Sequence, residues 1–218
     1  MNAGQVCTSV ERVYVFDEVA DTFIEALVEE AKKVKLGDPM NVNTDMGPMA
    51  SVMQYEKAHE KVDLAVEQGA RLLTGGGRPE AFDKGYYYSP TVFDRMSADM
   101  ELMNEEAFSP VVPIQRVKSL QEAIELSNAT KYGLGCSIYT KDLELAMTAA
   151  DDIKAGSFWI NNPLSENNAA PFGGMKMSGH GRELGIEGLN EFREPKHILI
   201  DYRQEKKDWW FPYGSDGE

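Results

Sequence analysis

The sequence is poor in cysteine and histidine, with two cysteines and three histidines among 218 residues. Two cysteines cannot build a disulfide framework, so a reducing cytoplasm is the location that fits best. The cysteines and histidines do not have the spacing of a zinc motif, so no metal site is predicted. Apolar runs are short, whereas a membrane helix needs about 18 consecutive apolar residues. The sequence therefore predicts neither a disulfide scaffold nor a membrane protein.

Positive charge is also scarce. The chain has 22 lysines and arginines against 36 aspartates and glutamates, a net charge of −14. Phosphate backbones repel such a surface, so nucleic acid is excluded as a predicted partner. The acidity mainly predicts good solubility.

The apolar pattern predicts an α/β fold. Apolar residues recur at helical spacing from Ala20 to Val34 and again from Val52 to Ala65. Between such helices lie short runs that are apolar on both faces, as expected for a parallel sheet covered by helices. The strands are predicted at residues 12–16, 71–74, 86–93, 111–117, 134–139, 157–161 and 197–201. Pro90 is predicted to interrupt the strand at 86–93. Asp17 is the predicted N-cap of the first helix, and Ser119 with Glu122 forms a predicted capping box.

Cys7 is the first candidate for chemistry. It follows Gly4-Gln5-Val6 in a polar loop just before a predicted strand. Backbone N–H groups in such a loop can stabilise a thiolate and an oxyanion. The alternative is a buried structural cysteine, the commoner state of a free thiol. Cys136 lies inside an apolar strand and is predicted to be structural. Only His180 could serve as a histidine partner for Cys7, and the spacing does not support that pairing.

Two further segments have unusual composition. Glu105 and Glu106 precede Phe108, and carboxylates beside an aromatic ring can hold sugar hydroxyls and a flat ring. The alternative is a solvated acidic loop. Residues 171–183 are rich in glycine, which allows backbone conformations closed to other residues. They do not contain a dinucleotide-binding fingerprint, and a flexible surface loop is the alternative.

Taken together, several segments in fixed order resemble the aldehyde dehydrogenase superfamily over about residues 2–201. The matching segments are Gly4–Cys7 with Arg12, Leu36–Pro39, Met46–Pro48, Glu105–Val111 and Pro171–Gly179. One such motif would be weak, whereas five in register are specific. The resemblance implies a Rossmann-like, parallel-sheet catalytic domain with a C-terminal oligomerisation strand. It divides the chain into a catalytic domain at 1–194, the strand at 195–202 and a charged, aromatic tail at 203–218.

The resemblance also implies roles for individual residues. Cys7 matches the nucleophile that forms a thiohemiacetal and then a thioester. Glu106 matches the residue that holds the nicotinamide ribose, and Phe108 the aromatic beside the nicotinamide. Asn162 and Phe172 match the lining of the substrate tunnel. The implied cofactor is NAD or NADP, the implied substrate a small aldehyde, and the implied assembly a homo-oligomer.

The sequence departs from the family in two respects. Ser109 stands where the family usually has glycine, and family members are more than twice as long. The general base and the oxyanion asparagine are expected upstream, so the isolated chain is expected to be inactive as a dehydrogenase. Glu11, although close to Cys7, is not assigned a role.

Two alternative functions remain open, a non-catalytic assembly module and a thiol esterase that needs no NAD. The aromatic tail, residues 209–213, is predicted to dock onto a neighbouring subunit or onto its own domain.

Overall fold

The computed structural model describes residues 1–162, 164–165, 167–207 and 209–210. The strands are β1 (Val13–Phe16), β2 (Arg71–Thr74), β3 (Thr91–Asp94), β4 (Val111–Val117), β5 (Gly135–Ile138) and β6 (Ser157–Ile160). The α-helices are α1 (Asp17–Lys33), α2 (Val52–Glu67), α3 (Glu101–Asn104), α4 (Leu120–Ala129), α5 (Leu143–Asp152) and α6 (Gly185–Asn190). Short 3₁₀ helices span Asn2–Gly4 and Lys176–Ser178.

The strands form a mostly parallel arrangement, which confirms the predicted α/β class. One sheet has the order β1-β4-β3-β2, and β5 pairs with β6 in a second sheet. The β1–β4, β3–β4 and β5–β6 pairs are parallel. The β2–β3 pair is antiparallel, so the predicted parallel sheet has one antiparallel edge strand. No helix separates β2 from β3, and a chain that turns back without a crossover helix pairs antiparallel.

Helices cover both faces of the four-stranded sheet. Successive strand side chains point to opposite faces, and β3 is buried throughout. Val92 packs with Ile24 of α1 on one face, whereas Phe93 packs with Val62 of α2 on the other. Full burial of a side chain such as Phe93 contributes about 2–3 kcal/mol. The two apolar layers therefore hold the sheet that carries the candidate site.

Polar caps fix several helix starts. The Ser51 hydroxyl accepts a hydrogen bond from Gln54 N at the start of α2. The predicted Ser119 cap is confirmed, since its hydroxyl accepts from Glu122 N at 3.2 Å. The prediction for α1 is wrong by one position, because Asp17 is the first helical residue and Phe16 occupies the N-cap.

Two predicted strands differ in the structure. Residues 86–90 lie outside β3, which begins at Thr91. Pro90, having no N–H, cannot donate to a strand ladder. Residues 197–201 form no strand within the described part of the chain, where Ile198, Leu199 and Ile200 are exposed. A strand requires a hydrogen-bonded neighbour, and no described residue supplies one here. A role for 195–202 in subunit contacts stays a prediction.

The tail prediction falls partly outside the described residues. Trp209 and Trp210 contact each other edge to face and are both exposed. Residues 211–213, which complete the aromatic tail, lie outside the described residues. Among the helices that are described, none has the length and apolar character needed to cross a membrane.

Candidate active site

The strand order brings two sequence-distant segments to one edge of the sheet. The Cys7 loop leads into β1, and the segment with Glu106 and Phe108 leads into β4. Strands β1 and β4 are parallel neighbours, with Val13 opposite Ile114. Because parallel strands begin at the same edge of a sheet, the two lead-in segments lie side by side. The predicted nucleophile and the predicted cofactor-binding residues therefore belong to one region.

Cys7 lies at the tip of an anchored turn. Its residue is exposed and its thiol is free. The turn is closed by a hydrogen bond from Ser9 N to Val6 O at 2.9 Å. Gln5 is buried, and its side-chain oxygen accepts from Ala50 N at 2.9 Å. The structure thus presents an accessible thiol on a fixed base, and the buried alternative for Cys7 is wrong.

Gly4 makes the contact between the two segments possible. Its φ is +75°, and a Cβ placed on it would lie 2.2 Å from the carbonyl oxygen of Ser109. Only glycine allows both this left-handed backbone and this approach. The glycine of the Gly4–Cys7 motif therefore sets the distance between the thiol turn and the lead-in to β4.

The lead-in to β4 holds Phe108 in a strained backbone conformation. Phe108 has φ +49°, whereas the neighbouring Ser109 does not have a positive φ. Serine in place of the family's usual glycine is therefore compatible with this turn. Glu106 and Phe108 are both half-buried. Within the described residues, Glu106 forms no hydrogen bond or ion pair, so its carboxylate is available to a ligand.

Glu11 and Gln54 hold this segment from two sides, and neither was singled out from the sequence. The Glu11 carboxylate accepts hydrogen bonds from Ala107 N at 2.9 Å and Phe108 N at 3.1 Å. Gln54 Nε2 donates to the carbonyl oxygens of Ala107 at 2.9 Å and Phe108 at 3.0 Å. Burial raises the pKa of Glu11, and the two backbone N–H groups oppose that rise. Glu11 stands next to Arg12 of the recognised motif, but its partners lie 96 and 97 residues away.

Arg12 contacts both the end of α3 and the loop after α4. Its Nη1 donates to Met103 O at 3.1 Å, and its guanidinium lies 5.8 Å from the centre of the Tyr132 ring. The Tyr132 hydroxyl in turn donates to Glu105. Lys131 also pairs with Glu105 at 2.6 Å, which lowers the pKa of that carboxyl. Glu105 is thus committed to ion pairing, which leaves Glu106 as the available carboxylate.

The predicted substrate residues lie in a different loop. Phe172 is half-buried and exchanges two backbone hydrogen bonds with Glu183, each 2.7 Å long. Asn162 is exposed, and its Oδ1 accepts from the Ser165 hydroxyl at 2.9 Å. In the described part of the chain, no hydrogen bond joins either residue to the Cys7 turn. His180 is exposed and likewise forms no hydrogen bond with that turn.

The glycine-rich loop near His180 has anchors of its own. Lys176 Nζ donates to Asn128 O and Thr130 O, each at 3.0 Å, at the C-terminal end of α4. A cation is favoured at the carboxyl end of a helix. Arg182 Nη1 donates to Gly174 O at 3.0 Å. These two basic residues therefore anchor the loop, one to the end of α4 and the other to the backbone of the loop itself.

Cys136 has a different environment from Cys7. It lies in β5 and is partly buried. Burial raises the pKa of its thiol to about 11. A thiol that stays protonated at neutral pH is a poor nucleophile and a poor metal ligand. Over residues 1–162, 164–165, 167–207 and 209–210, no three His, Cys, Asp or Glu side chains are grouped to hold a metal ion.

Comparison with known proteins identifies the family. The Aldehyde dehydrogenase family matches residues 1–198. The chain is 39% identical over 211 residues to betaine aldehyde dehydrogenase of Bacillus subtilis, covering 96% of this chain and 43% of that protein. It is 42% identical over 199 residues to retinaldehyde dehydrogenase 3 of Homo sapiens, covering 91% of this chain and 38% of that protein. The chain thus spans less than half the length of these relatives.

Solved structures agree with the sequence comparison. Betaine aldehyde dehydrogenase from Staphylococcus aureus, in complex with NAD+, superposes with a TM-score of 0.90 at 38% identity. The match covers 96% of this chain and 42% of that one. An NAD-dependent aldehyde dehydrogenase from Sinorhizobium meliloti gives the same TM-score and identity, covering 96% of this chain and 41% of that one. The chain belongs to the aldehyde dehydrogenase family.

Proposed function

We propose that this chain supplies the nucleophile and the nicotinamide-binding residues of an NAD(P)-dependent aldehyde dehydrogenase, which oxidises an aldehyde to a carboxylic acid. The observation that carries the proposal is the junction of two lead-in segments, one bearing the exposed Cys7 and the other bearing Glu106 and Phe108. They lie at one edge of the sheet because β1 and β4 are neighbours. A nucleophile and a hydride acceptor must meet at one carbon atom, and this arrangement would allow it.

In this proposal the Cys7 thiolate attacks the aldehyde carbon. The carbonyl oxygen becomes an oxyanion, and the Cys7 backbone N–H is proposed to donate a hydrogen bond to it. Loss of hydride from the resulting thiohemiacetal leaves a thioester on Cys7. Water then hydrolyses the thioester and releases the acid, which restores the thiol. The general base for the last step and a second oxyanion donor are proposed to lie outside this chain.

Glu106 and Phe108 are proposed to bind the nicotinamide nucleotide. Glu106 is half-buried and has no partner among the described residues, as a group that binds ribose hydroxyls requires. Phe108 is half-buried beside it and offers a flat apolar surface. When bound, the nicotinamide accepts the hydride. We further propose that Asn162 and Phe172 line the entry for the aldehyde. The choice between NAD and NADP is proposed to depend on the portion outside this chain.

The relatives do not define the aldehyde. Their names include betaine aldehyde and retinaldehyde, which are two different aldehydes. Assembly into a homo-oligomer through residues 195–202 and a cytoplasmic location are also proposals.

The accessibility of Cys7 favours a second candidate function for the chain by itself. A thiol that is exposed on a fixed turn can be acylated by an ester without any hydride acceptor. The isolated chain is therefore proposed to be a weak thiol esterase and not a dehydrogenase.

The function is tested by comparing the chain with a chimera. In the chimera, residues 1–218 replace the matching part of the Bacillus subtilis betaine aldehyde dehydrogenase. The chimera is expected to form NADH from NAD+ and an aldehyde, and its Cys7→Ala variant is not. The isolated chain is expected to form no NADH. NADH formation by the isolated chain would contradict the proposal that the general base lies outside this chain. An active Cys7→Ala chimera would contradict the role of Cys7.

A further inference from the structure

We propose that Glu11 is a positioning residue, which holds Phe108 and Glu106 in place for the nicotinamide and couples them to the Cys7 turn. This inference rests on the proposed function and assigns a role to a carboxylate that the reaction itself does not use. Its basis is the pair of hydrogen bonds from Ala107 N and Phe108 N to the two oxygens of Glu11.

The contact acts on a backbone that is not stable by itself. Phe108 has φ +49°, and a non-glycine residue in this region costs about 1–2 kcal/mol. Such a conformation persists only where the surroundings determine it. Both N–H groups of the Ala107–Phe108 pair are bound by Glu11, and both carbonyl groups by Gln54. All four polar backbone groups are therefore fixed by side chains from other parts of the chain.

Of the two side chains that hold Ala107 and Phe108, Glu11 is the one that lies in the same segment as Cys7. It is four residues after Cys7 and two before β1. Gln54 lies on α2, which leads into neither segment. A displacement of the Phe108 backbone would therefore be transmitted to the Cys7 turn through Glu11. Gly4, packed against the Ser109 carbonyl, forms the second contact between the same two segments.

The charge of Glu11 suits this role. An ionised carboxylate offers two acceptors, whereas an amide would offer one acceptor and turn its N–H₂ group toward the second backbone N–H. Hydrogen bonds to a charged acceptor are also stronger than neutral ones. The charged groups around it are Arg12, which favours the ionised form, and Glu106, which opposes it. Glu11→Gln therefore removes one of the two hydrogen bonds and weakens the other, with little change of side-chain volume.

The first test uses the 218-residue chain. Amide hydrogen exchange is measured by NMR for Glu11→Gln and for the matched control Glu18→Gln, whose residue is exposed on α1. Glu11→Gln is expected to speed exchange at Ala107 and Phe108 at least about tenfold, with the core strands unchanged. In the parent chain, the shifts of both amide protons should titrate together with the Glu11 carboxyl, and this titration should vanish in Glu11→Gln. Unchanged exchange at both amides would overturn the proposal.

A second readout separates positioning from general stability. In the chimera, Glu11→Gln should raise KM for NAD+ at least about tenfold, whereas the matched control Glu18→Gln should leave KM for NAD+ unchanged. An unchanged KM for NAD+ would overturn the positioning role. Failure of the proposed function looks different: ester turnover and NADH formation would then be independent of Cys7, while the two amides would still lose protection in Glu11→Gln.

Discussion

Replacing Cys7 by alanine is expected to remove the fast-reacting thiol of the chain. Cys7 is exposed, whereas Cys136 is partly buried and burial raises the pKa of its thiol to about 11. At pH 8 only about one Cys136 thiol in a thousand is ionised, and the thiolate is the reactive form. A disulfide reagent such as DTNB should therefore react rapidly with one thiol in the parent chain and with none in Cys7→Ala.

The matched control is Cys136→Ala, which should keep the fast reaction. In the chimera, Cys7→Ala should lower NADH formation on the order of 10⁴-fold or more, as expected for loss of a covalent nucleophile. A fast DTNB reaction that persists in Cys7→Ala and is lost in Cys136→Ala would show that Cys136 is the reactive thiol, and would contradict the role of Cys7.

The second large effect concerns stability. Asp94 at the end of β3 is 2% exposed and accepts from Arg116 Nε at 3.1 Å and Nη2 at 3.0 Å. Asp94→Ala removes the buried acceptor of Arg116, whose own side chain is 30% exposed and keeps its contact with Asp21. Loss of these charge-assisted hydrogen bonds is expected to cost about 1.5–3 kcal/mol. Urea unfolding at pH 7 measures this loss. Asp21, which also binds Arg116 but is exposed, is the control, and Asp21→Ala should cost less than about 1 kcal/mol. Equal losses in both variants would contradict the account.

The Asp94 contribution should also depend on pH. Burial by itself would raise the pKa of Asp94, but the hydrogen bonds from Arg116 and from Arg95 N lower it overall, below 3.8. A lowered carboxyl pKa stabilises the folded state above the unfolded value and loses this effect as the pH falls through the folded value. The difference in unfolding free energy between the parent and Asp94→Ala should therefore narrow below about pH 4. A difference that stays constant into acid would contradict this reading.

The elements were largely readable from the sequence because their signals are local. The apolar stripe of α1 and the Ser119 cap of α4 depend on neighbours within a few residues. Two predicted strands differ because strand pairing is not a local property. The strand predicted at 86–93, with its interruption at Pro90, is observed as Thr91–Asp94, because pairing with β4 begins at Thr91. Residues 197–201 have strand-like composition, but pairing depends on a neighbour that composition does not identify.

In the candidate site, too, local motifs could be read from the sequence, whereas contacts between distant segments could not. Cys7, Glu106 and Phe108 were found through motifs, each of them a short stretch of sequence. The neighbourhood of β1 and β4 could not be read this way, because it joins residues about a hundred positions apart. Glu11 was missed for that reason, since its two partners are identified only by the fold. Serine at 109 looked like a departure, but the strained position is Phe108.

The most direct test of the central claim follows the acyl group. The chain is treated with p-nitrophenyl acetate, and the chimera with NAD+ and an aldehyde; both are quenched in acid, digested and analysed by peptide mass spectrometry. An acyl group is expected on the peptide that contains Cys7 and none on the peptide that contains Cys136. NADH formation with an acyl group on Cys136, or on no cysteine, would contradict it.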